Sequence, residues 1–102
     1  MHTAYASVSY VQLTFTQYTA FVNRWKYFRL DDEDLRAIER HLLDRPFSGA
    51  VMRGTGGLRK LRFSPPSLRA GKSGAYRVCY SFVQESAEIH LLAVFAKSEV
   101  PN

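Results

Sequence analysis

The stretch AYRVCYSFVQESAEIHLLAVFA, residues 75–96, decides how the rest of the chain is read. In its first part Tyr76, Val78, Tyr80 and Phe82 alternate with Arg77, Cys79 and Ser81, the period of a strand with one buried face. A short polar turn at 84–88 follows, so 89–96 is expected to return beside 75–83 as an antiparallel hairpin. HLLAVFA is apolar on both faces, as an interior strand is. A sheet built on this hairpin leaves Arg77 on the side away from the core.

Moving upstream, residues 64–74 read as a loop, stiffened by Pro65 and Pro66 and loosened by Gly71 and Gly74. Before it, Leu58, Lys60 and Arg62 share one side of a strand, with Arg59, Leu61 and Phe63 on the other. Ala50, Val51 and Met52 precede a cluster of Gly54, Gly56 and Gly57. Glycines inside a strand pattern predict a bulge near Gly56 and Gly57, which re-aims the basic residues while Leu61 and Phe63 stay anchored.

The first half of the chain supplies the cover for this sheet. Val11, Leu13 and Phe15 alternate with Gln12, Thr14 and Thr16, a half-buried strand. Thr16 is then expected to cap a helix whose stripe is Tyr18, Phe21, Val22 and Trp25. LDDEDLRAIERHLLDRP, residues 30–46, is the clearest helix: Asp31 or Asp32 caps it and acids crowd the dipole-favoured first turn. Leu35, Ile38, Leu42 and Leu43 form its buried face, Pro46 ends it, and His41 lies on its flank without chemistry. Residues 1–9 are a small polar lead-in. The order strand, helix, helix, then three strands predicts an α+β fold in one domain, 1–102. One antiparallel sheet, an N-terminal strand plus a three-strand C-terminal meander, carries both helices on one face. The other face carries Arg77, Lys60 and Arg62.

At 102 residues and 46% hydrophobic, the chain is large enough for one core. Its net charge is +5, and the charge is segregated. Window 45–84 contains no Asp or Glu. It holds more than half of the 14 Lys and Arg residues: Arg45, Arg53, Arg59, Lys60, Arg62, Arg69, Lys72 and Arg77. A local field of one sign, built largely from guanidinium groups, suits a polyanion. Cys79 is the one cysteine and cannot form an internal disulfide, so a reducing, cytoplasmic compartment is expected. No apolar run approaches the ~20 residues that span a bilayer, and no membrane partner is expected.

Several chemical motifs are excluded. Gly71-Lys72-Ser73 imitates the end of a phosphate-binding loop, but Pro66 stands where its first glycine belongs and a strand follows instead of a helix. Gly54-Thr55-Gly56 has Arg59 where a dinucleotide fingerprint needs its third glycine. His2, His41 and His90 lack ligand-like spacing, so neither a metal nor a cofactor is expected.

Three blocks taken together, GTGGLRKLRF, GKSGAYRVCYSF and LLAVFAKSE, resemble the HigB-like branch of the RelE/ParE toxin superfamily. That family runs from a glycine-rich turn through Leu-Arg-Lys-(Leu or Ile)-Arg to a glycine-led aromatic strand. It ends in Leu-Leu-x-x-(Tyr or Phe)-(Ala or Gly)-Lys-x-Glu. The matches fall at 54–62, 71–80 and 91–99, and with the helices the resemblance covers 10–99. It implies a RelE-like fold and a type II toxin, an endoribonuclease that cleaves messenger RNA in a ribosome-dependent way and so inhibits translation.

Such cleavage proceeds by attack of a 2′-hydroxyl on the adjacent phosphate. It requires a base, cations for the developing charge and an acid for the leaving oxygen. The family uses mostly Lys and Arg, and a lysine acts as a base near neutral pH where neighbouring cations lower its pKa. Carried over, Lys60 is the base or phosphate clamp, Arg62 and Arg77 stabilise the phosphorane, and Lys97 is the candidate acid. Arg53, Arg59, Arg69 and Lys72 are the implied RNA contacts. The resemblance also implies a neighbouring HigA-like, helix-turn-helix antitoxin. Ser98 departs from the basic residue that some members carry there, and many members continue into another helix where this sequence stops at Asn102. The alternative is a non-catalytic or ParE-like toxin of the same fold, a topoisomerase inhibitor or a degenerate RNA-binding module.

Overall fold

A computed structural model describes residues 12–68 and 75–99. Its elements are β1 (Thr14–Gln17), α1 (Thr19–Tyr27), α2 (Asp32–Asp44), β2 (Ala50–Val51), β3 (Arg59–Phe63), β4 (Tyr76–Val83) and β5 (Glu88–Ala96), closed by a single 3-10 turn, Lys97–Glu99. The strands form one five-stranded sheet in the order β1-β5-β4-β3-β2. The α+β class, the meander and the two helices on one face are as the sequence predicts. The lead-in 1–9 lies outside the described residues.

The sheet is mixed where an antiparallel one is expected, because β1 runs parallel to β5. Two helices separate β1 from the meander, and such a crossover returns the chain in either sense. The hairpin β4–β5 has the expected partners, Tyr76 opposite Ala96 through Val83 opposite Glu88. Its register shifts once, with Cys79 opposite Ala93 and Tyr80 opposite Leu91, so Leu92 has no counterpart. This bulge explains the apolar run of β5. Ile89 and Leu91 are buried before it and Val94 after it, so the inward parity changes by one residue.

The glycine cluster does not bulge a strand. Ala50 and Val51 form their own short strand and pair with Lys60 and Arg59, and residues 53–57 make the hairpin turn between them. Gly54, Gly56 and Gly57 all have positive φ, which reaches 117° at Gly57.

The core joins Phe21 and Trp25 of α1 and Ile38 and Leu42 of α2 to Leu61, Phe63, Val78, Tyr80, Ile89, Leu91 and Val94 of the sheet. Trp25 stacks between Phe21 at 5.2 Å and Phe63 at 5.9 Å. Thr16 does not cap α1. The N-cap is Tyr18, whose side chain makes no capping bond and is 44% exposed. Asp31 does cap α2, in a reciprocal box with Asp34.

Asp34 is fully buried. Its carboxylate accepts from Asp31 N–H (3.0 Å), Ser67 N–H (3.0 Å) and Ser67 Oγ–H (2.6 Å). The start of α2 thereby holds the segment that leaves β3. A second clamp closes the other end of α2. The Tyr80 hydroxyl donates to Pro46 O at 2.8 Å and accepts from Gly49 N–H at 3.0 Å. Burial pushes that phenol up, so it stays protonated and keeps donating. A Cβ on Gly49 would lie 2.8 Å from the Tyr80 ring, so only glycine fits there.

Candidate nucleic-acid interface

Strand parity and register build this surface. Leu61 and Phe63 face the helices, so Lys60 and Arg62 of β3 face away from them. Across the ladder Lys60 stands opposite Cys79, and Arg62 stands opposite Arg77. Arg77 in turn stands opposite Phe95 of β5. Three of the proposed residues, Lys60, Arg62 and Arg77, therefore share the outer face of the sheet. Arg62, Arg77 and Phe95 form one row across three adjacent strands.

The electrostatics of this row are unfavourable on their own. Like charges directly opposite each other on a sheet repel, with Cβ atoms about 5 Å apart. Among the described residues no carboxylate pairs with Lys60 or Arg62. Arg77 is steadied by its backbone, its Nη1 donating to Tyr76 O at 3.1 Å. Cys79 adds no nucleophile. Burial pushes its thiol up, the Lys60 ammonium only partly opposes this, and the thiol form persists at neutral pH. At this end the face offers donors and positive charge, and among the described residues no carboxylate pairs with Lys60 or Arg62.

Lys97 begins the turn that follows β5. Its N–H donates to Ala75 O at 2.9 Å, which fixes its backbone at the end of the sheet where Arg77 and Phe95 lie. Glu99 steadies the same turn, accepting from Ala96 N–H at 2.9 Å and pairing with Arg24. The hydrogen bond from Arg24 holds the Glu99 carboxyl below its ordinary range. Arg24 also lies over the rings of Tyr27 and Phe28, at 4.9 and 4.6 Å.

The remaining predicted contacts are elsewhere. Arg59 turns to the helix side, where its Nη1 donates to Phe47 O (3.0 Å) and Gly49 O (2.7 Å) and its guanidinium lies 5.2 Å from the Phe47 ring. It locks the segment after α2. Arg53 is exposed in the β2–β3 turn, at the opposite end of β3 from Arg62. Arg69 and Lys72 lie outside the described residues.

Sequence reasoning missed two features of the outer face. Phe95, 38% exposed, was hidden inside an apolar run whose bulge the sequence does not announce. The second is a polar chain: the Tyr18 hydroxyl meets His90 Nδ1 at 3.2 Å, and His90 Nε2 meets Glu88 Oε1 at 3.1 Å. The i, i+2 spacing of Glu88 and His90 is its only sequence signal. His90 stands opposite Ser81, four residues along β4 from Arg77, or about 13 Å away. It therefore belongs to the other end of the face. Among the described residues no helix is long and apolar enough to cross a membrane.

No protein-family profile matches the sequence. The fold does match solved structures. One chain of the intact E. coli RelBE toxin–antitoxin complex aligns with this chain at a TM-score of 0.58 and 18% identity, over 83% of this chain and 96% of that one. The isolated E. coli RelE toxin gives 0.57 at 18% identity, over 83% and 84%. An arginine-to-alanine double mutant of RelE in the free state gives 0.55 at 18% identity, over 85% and 84%. The chain has the RelE fold.

Proposed function

We propose that this chain is the toxin of a type II toxin–antitoxin system, of the HigB-like branch, and that it is an endoribonuclease acting on messenger RNA at the ribosome in the cytoplasm. The observation that carries this reading is the outer-face cluster: Lys60, Arg62 and Arg77 brought together by register, with no carboxylate among the described residues to neutralise Lys60 or Arg62. The RelE fold and the three sequence blocks support it from independent directions.

In the proposed reaction the ribose-phosphate strand lies across β3 and β4. Lys60 takes the proton of the 2′-hydroxyl, or clamps the phosphate while that proton leaves. The 2′ oxygen attacks the adjacent phosphorus, and Arg62 and Arg77 donate to the non-bridging oxygens as charge grows on them. Lys97 delivers a proton to the departing 5′ oxygen. The products are a 2′,3′-cyclic phosphate and a 5′-hydroxyl end. Arg53, Arg69 and Lys72 are proposed to bind the flanking strand or ribosomal RNA, and Arg59 acts by holding the segment beside it. The partner is an acidic-surfaced, HigA-like antitoxin with a helix-turn-helix domain, which neutralises the toxin.

Induced expression tests this. It arrests growth and cuts translated messages, and Arg77→Ala or Lys60→Ala relieves both effects. Harmless expression with intact messages refutes the reading. A DNA-damage response without RNA cleavage replaces it with the ParE-like alternative.

A further inference from the structure

Phe95 is an exposed aromatic ring on the outer face, and the residues nearest it in register on that face of β3 and β4 are charged or small: Arg62, Arg77 and Cys79. It closes the row that begins with Arg62 and Arg77. Adjacent strands are about 4.8 Å apart, so Phe95 leaves the sheet about one strand spacing from Arg77. Single-stranded nucleic acid presents a matching alternation: anionic phosphate on one side of each sugar, a flat apolar base on the other. Proteins that hold such strands combine a cationic track with aromatic platforms for the bases. An isolated phosphate or a duplex has no use for the ring, because one lacks a base and the other keeps its bases stacked inside.

We infer that Phe95 is a base-stacking residue, on which the nucleotide whose phosphate sits on Arg62 and Arg77 lays its base. This rests on the reading of the outer face as an RNA site and names what that site recognises: single-stranded RNA with an unstacked base at the reacting position. The platform reads a base as a flat surface, so it positions the strand without choosing a sequence.

The test uses the purified chain and a short, fluorescein-labelled oligouridylate, 2′-O-methylated so that it is not cut. Binding is measured across a salt series for the wild type, Phe95→Leu, Phe95→Trp and Arg62→Ala. Loss of one stacked base corresponds to about a 5- to 150-fold loss of affinity. Phe95→Leu, which keeps an apolar side chain, is expected to lose affinity within that range at every salt concentration, and Phe95→Trp to retain it. The slope of log affinity against log salt is expected to be unchanged in Phe95→Leu and to flatten by about 0.7 in Arg62→Ala, which removes a phosphate contact. A second series walks one abasic position along the oligomer. One position is expected to weaken wild-type binding and to leave Phe95→Leu unaffected.

Equal affinity of Phe95→Leu and wild type, or equal sensitivity to the abasic site, overturns the inference while the RNA reading stands. If the wild type binds no oligomer at low salt, both fall.

Discussion

Replacing Arg62 with Gln is expected to make the folded protein more stable. Arg62 faces Arg77 directly across the β3–β4 ladder, it is exposed, and no carboxylate among the described residues offsets it. With the guanidinium groups taken as roughly 7 Å apart, Coulomb's law gives about 0.6 kcal/mol of repulsion at the dielectric constant of water. That lies within the ~0.2–1 kcal/mol range for cross-strand pairs. For a domain of this size it corresponds to a rise in melting temperature of about 2–5 °C.

Salt separates this effect from a change in strand propensity. At 0.01 M ionic strength the Debye length is about 30 Å and the repulsion persists, whereas at 1 M it is about 3 Å and the repulsion is screened. Thermal unfolding of both proteins at both salt concentrations is the assay. The gain is expected at low salt and to shrink toward zero at high salt. A polyanion such as heparin should stabilise the wild type more than the variant, since binding to the folded state adds stability by mass action. A variant less stable than the wild type, or equally more stable at both salt concentrations, would refute the claim that this row is strained by its own charge.

Three further outcomes follow from the packing. Asp34→Ala removes the acceptor of three hydrogen bonds at the start of α2, and is expected to cost about 3–5 kcal/mol in urea unfolding. Burial raises the Asp34 pKa, but the hydrogen bonds from Ser67 and Asp31 outweigh burial and hold it below the ordinary 3.8. Its contribution is therefore complete above the unfolded value and lost as the pH falls through the folded one, and Asp34→Asn should remove that part of the acid limb. Gly49→Ala places a Cβ 2.8 Å from the Tyr80 ring and is expected to cost about 1–3 kcal/mol, read by the same assay. Arg29 follows α1 with φ 58° in a helix-ending motif, its N–H bonding Lys26 O and the Leu30 N–H bonding Trp25 O. Arg29→Gly is expected to gain about 0.5–1 kcal/mol, and a loss would show that the Arg29 side chain contributes more than its backbone strain costs.

The legible parts of this fold are those set by local periodicity. Alternation at Tyr76–Val83 and the helical stripe through Ile38 and Leu42 each announce an element and its buried face. The same parity placed Lys60, Arg62 and Arg77 on one side of the sheet. What stayed hidden depends on partners distant in sequence. The parallel pairing of β1 with β5 follows from the crossover, not from any residue within β1. A two-residue strand such as Ala50–Val51 carries too little pattern to register, so the glycines of its hairpin turn read as a bulge.

The real bulge sits opposite Cys79 and Tyr80 and reverses parity within β5. Phe95 therefore reads as one more apolar residue of an interior strand, although it faces outward. Asp34 reads as a dipole-favoured acid of the first turn, because Ser67, which buries it, lies 33 residues away. The Arg62–Arg77 pairing needs the length and path of the loop between β3 and β4, which no local pattern supplies.

The central claim is that the outer-face cations break a ribose-phosphate backbone through its own 2′-hydroxyl. Mapping transcript ends after brief induction tests it most directly, with the chemical state of each new end determined. New 5′ ends carrying a hydroxyl, matched by upstream fragments ending in 2′,3′-cyclic phosphate and absent in Arg77→Ala, are the expected result. Intact transcripts, or new ends bearing a 5′-phosphate, would contradict it.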